Sequence, residues 1–259
     1  MKPDTGVPLA FWCRVPSRPN FGDALTPWLI QRLSGRAPRF VPHDHLSSKY
    51  IVTGSIAAFA GRQCTVWGAG LMFRDDPICA EADWLAVRGP LTHARARACG
   101  AACPPVWGDP GLLLPRLHVP PTKPRRGVGF VPHFSDRPRI PQGWAEARAL
   151  HLIDIQQGIE TVIDEIATCE WVMSSSLHGL IVAHAYGVPA VWVRLRDLPS
   201  GDGVKFADHY ASVGVDVPAP QPLSIHDTLD RRALERAAWA PARLDTEALW
   251  LCCPFRDDA

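Results

Sequence analysis

Short apolar runs alternate with longer amphipathic stretches along this chain, and the clearest example lies between residues 169 and 193. The run from Trp171 to Met173 predicts a buried strand. Three serines follow it and can cap a helix, because a serine hydroxyl accepts hydrogen bonds from the free N–H groups of a first turn. Apolar residues then recur at helical spacing until Gly187 and Pro189, after which residues 190–193 predict another strand. This order predicts a β–α–β unit.

The same alternation predicts strands and helices on both sides of that unit. The predicted strands comprise residues 9–14, 50–55, 64–70, 84–88 and 149–155, with a further one beginning at residue 128. The predicted helices lie after residue 23, after residue 90, over 159–166, after the glycine-rich loop at 201–203, and over 229–238 and 246–251. Strands that are followed by helices in this way favour an open, mostly parallel α/β sheet.

Residues 115–127 are polar and rich in proline, which predicts a linker between two domains. We therefore assign residues 1–120 to a first Rossmann-like lobe and residues 121–225 to a second lobe that carries the serine turn. Residues 226–259 form C-terminal helices and a tail, which can pack back on the first lobe.

Composition narrows the class of protein. The chain has 259 residues, 47% of them hydrophobic, which is typical of a globular protein. A net charge of +1 gives no basic surface for nucleic acid, so no nucleic-acid partner is predicted. The eight cysteines do not fall into paired CxxC spacing, which predicts small buried side chains and no metal site. No apolar run is long enough for a signal peptide or a membrane span, so we expect a cytoplasmic protein, and a peripheral contact with the inner membrane face is compatible with that.

The candidate chemistry lies at the ends of the predicted strands. Small or charged residues follow several strands, among them Gly54, Ser55 and Arg88, and ligands of open α/β sheets bind at such strand ends. His178 falls in the first turn of the central helix, where N–H groups and the helix dipole favour an anion. Asp23 lies where the first loop enters a helix, so it can cap that helix, contact a ligand, or do both.

Taken together, these residues resemble the polysaccharide pyruvyl transferase family, in its bacterial exopolysaccharide branch. The resemblance rests on motifs that stand in the family's order: 20–23 (NFGD), 54–55 (GS), 67–70 (WGAG), 88–90 (RGP), 108–110 (GDP), 131–136 (VPHFSD), 174–179 (SSSLHG), 205–210 (KFADHY) and the closing 253–255 (CPF). It implies two Rossmann-like lobes that face each other across a cleft, as in GT-B glycosyltransferases. It also implies transfer of the pyruvyl group of phosphoenolpyruvate to two hydroxyls of a hexose, with a cyclic ketal and free phosphate as products and no cofactor.

The resemblance places Arg88 and His178 among the donor-binding and catalytic positions. Other branches of the family carry an arginine two residues before the matching histidine, whereas this chain has Ser176 there. Lys205 is our candidate for the missing positive charge. The other residues expected at the donor are Asn20, Gly54, Ser55, Ser174, Ser175, Ser176 and Gly179.

The predicted reaction needs a proton delivered to the methylene carbon of the donor and a proton removed from a sugar hydroxyl. His178 is the best candidate for this work, because imidazole titrates near neutral pH. His133 or Asp136 could serve the second transfer, and Asp23 could orient the acceptor. The residues expected to bind the acceptor, a hexose-containing glycan that can be lipid-linked, are Asp136, Asp208 and Tyr210.

Structural roles compete with several of these assignments. Arg88 could form an ion pair between the lobes, Asp109 could form the turn before Pro110, and Asp208 and Tyr210 could be ordinary residues of a helix face. Two other functions also fit the fold: a nucleotide-sugar-dependent GT-B glycosyltransferase, and a catalytically idle relative that binds in a polysaccharide assembly complex.

Overall fold

The computed structural model describes residues 6–14, 21–122, 124, 127–197 and 200–256. Within these residues the chain forms two parallel β-sheets of five strands each. The strands of the first sheet are β1 (Leu9–Phe11), β2 (Arg39–Phe40), β3 (Lys49–Ile51), β4 (Cys64–Trp67) and β5 (Asp83–Ala86). The strands of the second sheet are β6 (Val128–Val131), β7 (Leu150–Leu152), β8 (Trp171–Ser174), β9 (Ala190–Arg194) and β10 (Gln221–Pro222).

α-Helices lie between several of the successive strands of each sheet and at the end of the chain. The helices are α1 (Phe21–Ser34), α2 (Pro90–Ala98), α3 (Ile159–Ala167), α4 (Leu177–Ala185), α5 (Val204–Ser212), α6 (Arg231–Ala237) and α7 (Glu247–Leu251). The first sheet has the order β2-β1-β3-β4-β5 and the second the order β10-β9-β8-β6-β7. Every strand pair is parallel, so the carboxyl ends of all strands of a sheet lie at one edge.

The two sheets share one continuous hydrophobic core. Ala10 and Trp67 of the first sheet and Val172 of the second belong to the same cluster of buried side chains. A 3₁₀ helix, Pro110–Arg116, adds three buried leucines to this cluster and packs against α4. Because burial of apolar surface is the main favourable term in folding, this shared cluster holds the two sheets together.

The C-terminal segment divides between the two sheets. In the first part, Trp239 forms an antiparallel bridge with Ala190, the first residue of β9. In the second part, the carbonyl of Leu249 accepts a hydrogen bond of 3.0 Å from the indole of Trp67, and the ring of Phe255 packs against Tyr50 and Trp67. Residues 247–256 therefore return to the first sheet.

The predicted α/β class and the parallel sheets are confirmed. The prediction missed the two-residue edge strands β2 and β10. No helix in the described ranges has the length and apolar character needed to cross a membrane.

Candidate active site

His178 occupies the second position of α4, directly after β8. Ser176 has an extended backbone (φ −95°, ψ 131°) and begins the helix, so the first N–H groups of α4 point towards the carboxyl edge of the second sheet. His178 is 8% exposed. Gly22 of α1 lies against its ring, and a Cβ at that position would overlap the imidazole. The side chain is therefore held between an element of each lobe.

Asp109 faces His178 from the start of the 3₁₀ helix. Its Oδ1 accepts a 2.9 Å hydrogen bond from the N–H of Gly111, and its Oδ2 lies 3.7 Å from Nε2 of His178. Neither Oδ2 nor Nε2 has a hydrogen-bond partner within the described residues, although both atoms are buried. An unpaired buried polar atom is costly, so a pair of them facing each other is a candidate functional arrangement.

The charges around this pair oppose protonation of the histidine. Burial, followed by the charges of Arg88 and Lys205, lowers the pKa of His178 to about 3. Burial raises the pKa of Asp109 to about 6, against the N–H of Gly111 and the charge of Arg88. At neutral pH the imidazole is therefore neutral and most of the carboxyl population is ionised, which is the state of a base held by a carboxylate.

Lys205 brings a buried ammonium group to the same site. It lies in the first turn of α5, is 6% exposed, and its Nζ stands 5.5 Å from the centre of the Phe206 ring. No hydrogen bond or salt bridge of Nζ is found in the part of the chain that the structure describes. Burial lowers its pKa to about 8, as does the charge of Arg88, whereas Asp136 raises it. A desolvated cation of this kind favours an anionic ligand.

Arg88 is buried and joins the two lobes. Its Nε donates to Asp208 at 3.2 Å, its Nη1 to Ser55 at 2.7 Å, and its Nη2 to the carbonyl of Leu71 at 2.7 Å. Three of its five N–H groups are thus used, and the side chain has no exposed surface. A direct contact of Arg88 with a donor stays a prediction. In this structure the charge of Arg88 lowers the pKa of His178 and that of Lys205.

Both carboxylate oxygens of Asp208 accept hydrogen bonds from Arg88 and from the start of α2. One oxygen accepts from the N–H groups of Leu91 and Thr92, and the other accepts from Arg88 and from the Thr92 hydroxyl at 2.6 Å. Four donors fill the four lone-pair positions of a carboxylate. Asp208 therefore caps α2 from the second lobe, and we do not include it among the acceptor contacts that we propose below.

The three serines have different roles. The Ser174 hydroxyl binds the carbonyls of Val131 and Ser176, which closes the turn between β8 and α4. The Ser175 hydroxyl donates to Asp136 at 2.9 Å and accepts from the N–H of His133. Ser176 is the residue that begins α4, and its side chain makes no capping hydrogen bond to that helix.

His133 and Asp136 lie on the loop after β6. Nδ1 of His133 is 2.8 Å from the Ser135 hydroxyl, and burial, followed by the charge of Lys205, lowers the pKa of this histidine to about 4. Asp136 accepts a 2.9 Å hydrogen bond from Nε of Arg196, which also donates to Ser135. The loop is therefore fixed by an ion pair, with His133 within electrostatic range of His178 and Lys205.

Asp23 belongs to the first lobe and neighbours the site. It lies in the first turn of α1, next to the glycine that contacts His178, and burial raises its pKa to about 7. Beneath it, the Thr53 hydroxyl donates to the Gly22 carbonyl at 2.7 Å and pairs with Thr26, which fixes the start of the helix.

The remaining predicted site residues lie deeper or outside the described residues. Gly54 has a positive φ of 101° and accepts a hydrogen bond from Gly70, and Gly179 lies so close to Ser174 that a Cβ would overlap it. Tyr210 is buried in the core beside His184 and His209, where burial raises the pKa of its hydroxyl. Asn20 lies outside the described residues.

Sequence reasoning missed two members of the site, Asp109 and Arg196. The sequence favours a turn-forming role for Asp109, which describes only its Oδ1. Arg196 lies just past the end of β9, a position that could have drawn attention, because ligand-binding residues follow strand ends in such sheets. Within the described residues, no group of three or more His, Cys, Asp or Glu side chains could hold a metal ion.

Comparison with known proteins gives the chain a family context. The family model for polysaccharide pyruvyl transferase matches residues 10–196, which leaves Lys205, Asp208 and Tyr210 outside the match. The succinoglycan biosynthesis protein ExoV of Rhizobium meliloti (strain 1021) is 30% identical over 207 residues, covering 76% of this chain and 62% of that protein. The uncharacterized protein L143 of Acanthamoeba polyphaga mimivirus is 30% identical over 172 residues, covering 63% of this chain and 59% of its own length. This chain thus spans about three fifths of either relative. No solved structure matches it.

Proposed function

The chain belongs to the polysaccharide pyruvyl transferase family, and from this premise we propose that it transfers the pyruvyl group of phosphoenolpyruvate to two hydroxyls of one hexose in an exopolysaccharide or its lipid-linked precursor. The products are a cyclic pyruvate ketal and free phosphate. A relative named for succinoglycan biosynthesis supports an exopolysaccharide as the class of acceptor.

The observation that carries this proposal is the buried ammonium of Lys205 beside the neutral imidazole of His178. Phosphoenolpyruvate has a carboxylate and a phosphate, about three negative charges near neutral pH. Most cations of the site already have an acidic partner, since Arg88 pairs with Asp208 and Arg196 with Asp136. The charge of Lys205 and the N–H groups at the start of α4 remain for the donor, and charge-assisted hydrogen bonds are the strong contacts to such an anion.

The reaction adds one sugar hydroxyl across the double bond of the donor. The methylene carbon gains a proton and becomes the methyl group, while the oxygen bonds to the neighbouring carbon. Phosphate then leaves with the electrons of its C–O bond, and the second hydroxyl attacks the same carbon to close the ketal. One of the two hydroxyl protons ends on the new methyl group, and the other ends on phosphate.

His178 is the base that we propose for the hydroxyl proton. Its Nε2 is enclosed and faces Asp109, which leaves Nδ1 to exchange a proton with the substrate. Asp109 is a positioning residue that holds the ring and stabilises the imidazolium when it forms. Asp23 is the proposed acid, because a pKa of about 7 leaves part of its population protonated at neutral pH. On the acceptor side we propose His133 and Asp136, which the ion pair with Arg196 holds in place.

Calorimetric titration with phosphoenolpyruvate tests this proposal, with uridine and guanosine diphosphate sugars as alternatives. We expect the full chain to bind phosphoenolpyruvate, and Lys205→Met to weaken binding about 10- to 100-fold, the value of one charge-assisted hydrogen bond. Arg62→Met is the matched control, since Arg62 is exposed and pairs with Glu81. Binding of a nucleotide sugar without binding of phosphoenolpyruvate would favour the glycosyltransferase alternative.

A further inference from the structure

A basic pocket of about 630 Å³ opens at the carboxyl edge of the second sheet. Its polar wall is formed by Arg139, which ends the turn after β6, and by Arg194, Arg196 and Asp197, which lie at and beyond the end of β9. Leu223 and Ile225, just past β10, form an apolar wall. Because β6, β9 and β10 are parallel, these residues converge at one edge although they are distant in sequence.

The charges that line the pocket do not balance. Arg196 is held by Asp136 and Ser135. Arg139 and Arg194 have no salt bridge with any residue that the structure describes, and Asp197 is the one acidic side chain among the lining residues. Two guanidinium groups therefore face the pocket without an acidic partner, and a guanidinium binds phosphate or carboxylate oxygens through two parallel N–H groups.

The pocket adjoins the candidate active site through a continuous chain of hydrogen bonds. Arg196 donates to Asp136, Asp136 accepts from the Ser175 hydroxyl, and that hydroxyl accepts from the N–H of His133. A ligand that extends from His133 past Arg196 would enter the pocket. The pocket is far larger than one phosphate ion, so it can hold an anion together with the group that carries it.

We propose that this pocket binds a phosphate or diphosphate group carried by the glycan acceptor, an inference that rests on the proposed pyruvyl transfer. Two unpaired guanidinium groups match the two negative charges of a phosphate monoester or a diphosphate better than the single charge of one carboxylate. The apolar wall of Leu223 and Ile225 contacts the part of the acceptor next to the phosphate. The acceptor class is then a phosphorylated glycan, with its hexose at His133 and its phosphate beyond Arg196.

Calorimetric titration with inorganic pyrophosphate tests the pocket. The protein titrated is the full chain that carries Lys205→Met, because this substitution weakens binding of the anion at the donor site. We expect binding that the double variant Arg139→Ala/Arg194→Ala weakens at least about 10-fold, since each arginine supplies a charge-assisted hydrogen bond. Arg62→Ala is the matched control and should leave the affinity unchanged. Both lining arginines are exposed, so their replacement should leave the thermal midpoint within a few degrees of the parent. Equal affinity in the double variant and the parent would overturn the proposal.

Three further ligands identify the source of the anion. A hexose 1-phosphate should bind and depend on Arg194, whereas the unphosphorylated hexose should not. Glucuronate that displaces pyrophosphate at equal concentration would overturn the proposal in favour of a carboxylate site. Uridine diphosphate is the third ligand. If it binds more than about 10-fold tighter than pyrophosphate, and the double variant loses this gain in affinity, the pocket is a nucleotide site and the proposal is overturned.

A parallel titration of the parent chain with phosphoenolpyruvate separates this inference from the proposed function. If phosphoenolpyruvate binds and pyrophosphate does not, the pocket assignment fails and the proposed reaction stands. If phosphoenolpyruvate does not bind, the proposed reaction fails, and the assignment of the anion to an acceptor fails with it.

Discussion

The Nε2 atom of His178 lies 3.7 Å from Oδ2 of Asp109, and neither atom has another partner in the described residues. Because the other oxygen of Asp109 caps the turn at Gly111, a conservative variant can remove one role and keep the other. In Asp109→Asn the amide oxygen can still accept from Gly111, while the amide nitrogen would face the imidazole and favour the wrong tautomer.

We expect Asp109→Asn to fold and to bind phosphoenolpyruvate as the parent does, with kcat reduced on the order of 10²- to 10⁴-fold. The measurement is phosphate release from phosphoenolpyruvate with de-pyruvylated oligosaccharide acceptors, together with a thermal midpoint. A kcat close to that of the parent would show that Asp109 serves the turn alone.

His178→Gln should separate binding from chemistry. Glutamine keeps a polar side chain of similar reach but cannot exchange a proton near neutral pH, so turnover should fall about 10²- to 10⁴-fold. Donor affinity should change by less than about threefold, since the donor contacts that we propose are Lys205 and the N–H groups of α4. His93→Gln is the control, because His93 packs against Trp107 and is not among the proposed site residues. Equal loss of affinity and turnover would contradict the proposed role.

The sequence pattern was sufficient to predict most of the architecture. Short apolar runs predicted eight of the ten strands in the described residues, since a strand buried on both faces needs such a run. The edge strands β2 and β10 were missed because two residues, Arg39–Phe40 and Gln221–Pro222, carry no periodicity. Their pairing depends on the strand beside them, not on their own sequence.

The site was harder to predict, because its geometry joins distant elements. The motif at 174–179 indicated His178, since the first turn of a helix after a strand is where an anionic ligand is expected to bind. No spacing could indicate that Asp109 would reach His178, or that Asp208 would use all its acceptor positions on α2 and Arg88. Those contacts depend on how the two lobes pack, which the core shared by both sheets determines.

Affinity for phosphoenolpyruvate should fall as pH rises through the pKa of Lys205, which burial lowers to about 8. The ammonium form binds the anion, so each pH unit above this value should weaken binding up to about tenfold until the pKa of the bound form is reached. Lys205→Arg should keep its charge and bind without this loss between pH 8 and 10. Lys205→Met should bind weakly at every pH. A parent affinity that is constant from pH 7 to pH 10 would exclude Lys205 as the donor cation.

The buried pair of Arg88 and Asp208 should contribute to stability more than any exposed pair. Arg88→Met leaves the Asp208 carboxylate without its buried cation, and removal of one partner of such a pair costs about 3–5 kcal/mol. Removal of Arg62 from its exposed pair with Glu81 should cost less than about 1 kcal/mol. Urea unfolding of the two variants at pH 7 gives both values. Similar values for Arg62→Met and Arg88→Met would show that Arg88 does not hold the lobes together.

Acid should destabilise the fold through two stacked histidines behind the site. Nδ1 of His184 lies 3.0 Å from Nε2 of His209, and both side chains are buried. Burial lowers the pKa of His184 to about 4, although a hydrogen bond to the backbone of Trp239 opposes this shift. Burial also lowers the pKa of His209 well below its ordinary value, and the charges of His184 and Arg88 act in the same direction. Because the unfolded histidines titrate near pH 6.5, the unfolded state binds more protons below that pH, and the free energy of unfolding falls as pH decreases.

Below about pH 6, each histidine should lower the free energy of unfolding by on the order of 1 kcal/mol per pH unit. The double variant His184→Phe/His209→Leu removes both titrating groups and leaves no orphaned hydrogen-bond partner from the pair, which a single replacement would leave. Urea unfolding at pH 7 and pH 5 should therefore show a smaller acid loss in the double variant than in the parent. His178 and His133 also have lowered pKa values, so His178→Gln and His133→Gln are measured in parallel to account for the share of each. If the double variant loses as much stability as the parent between these two pH values, the histidine pair is not the acid-sensitive element.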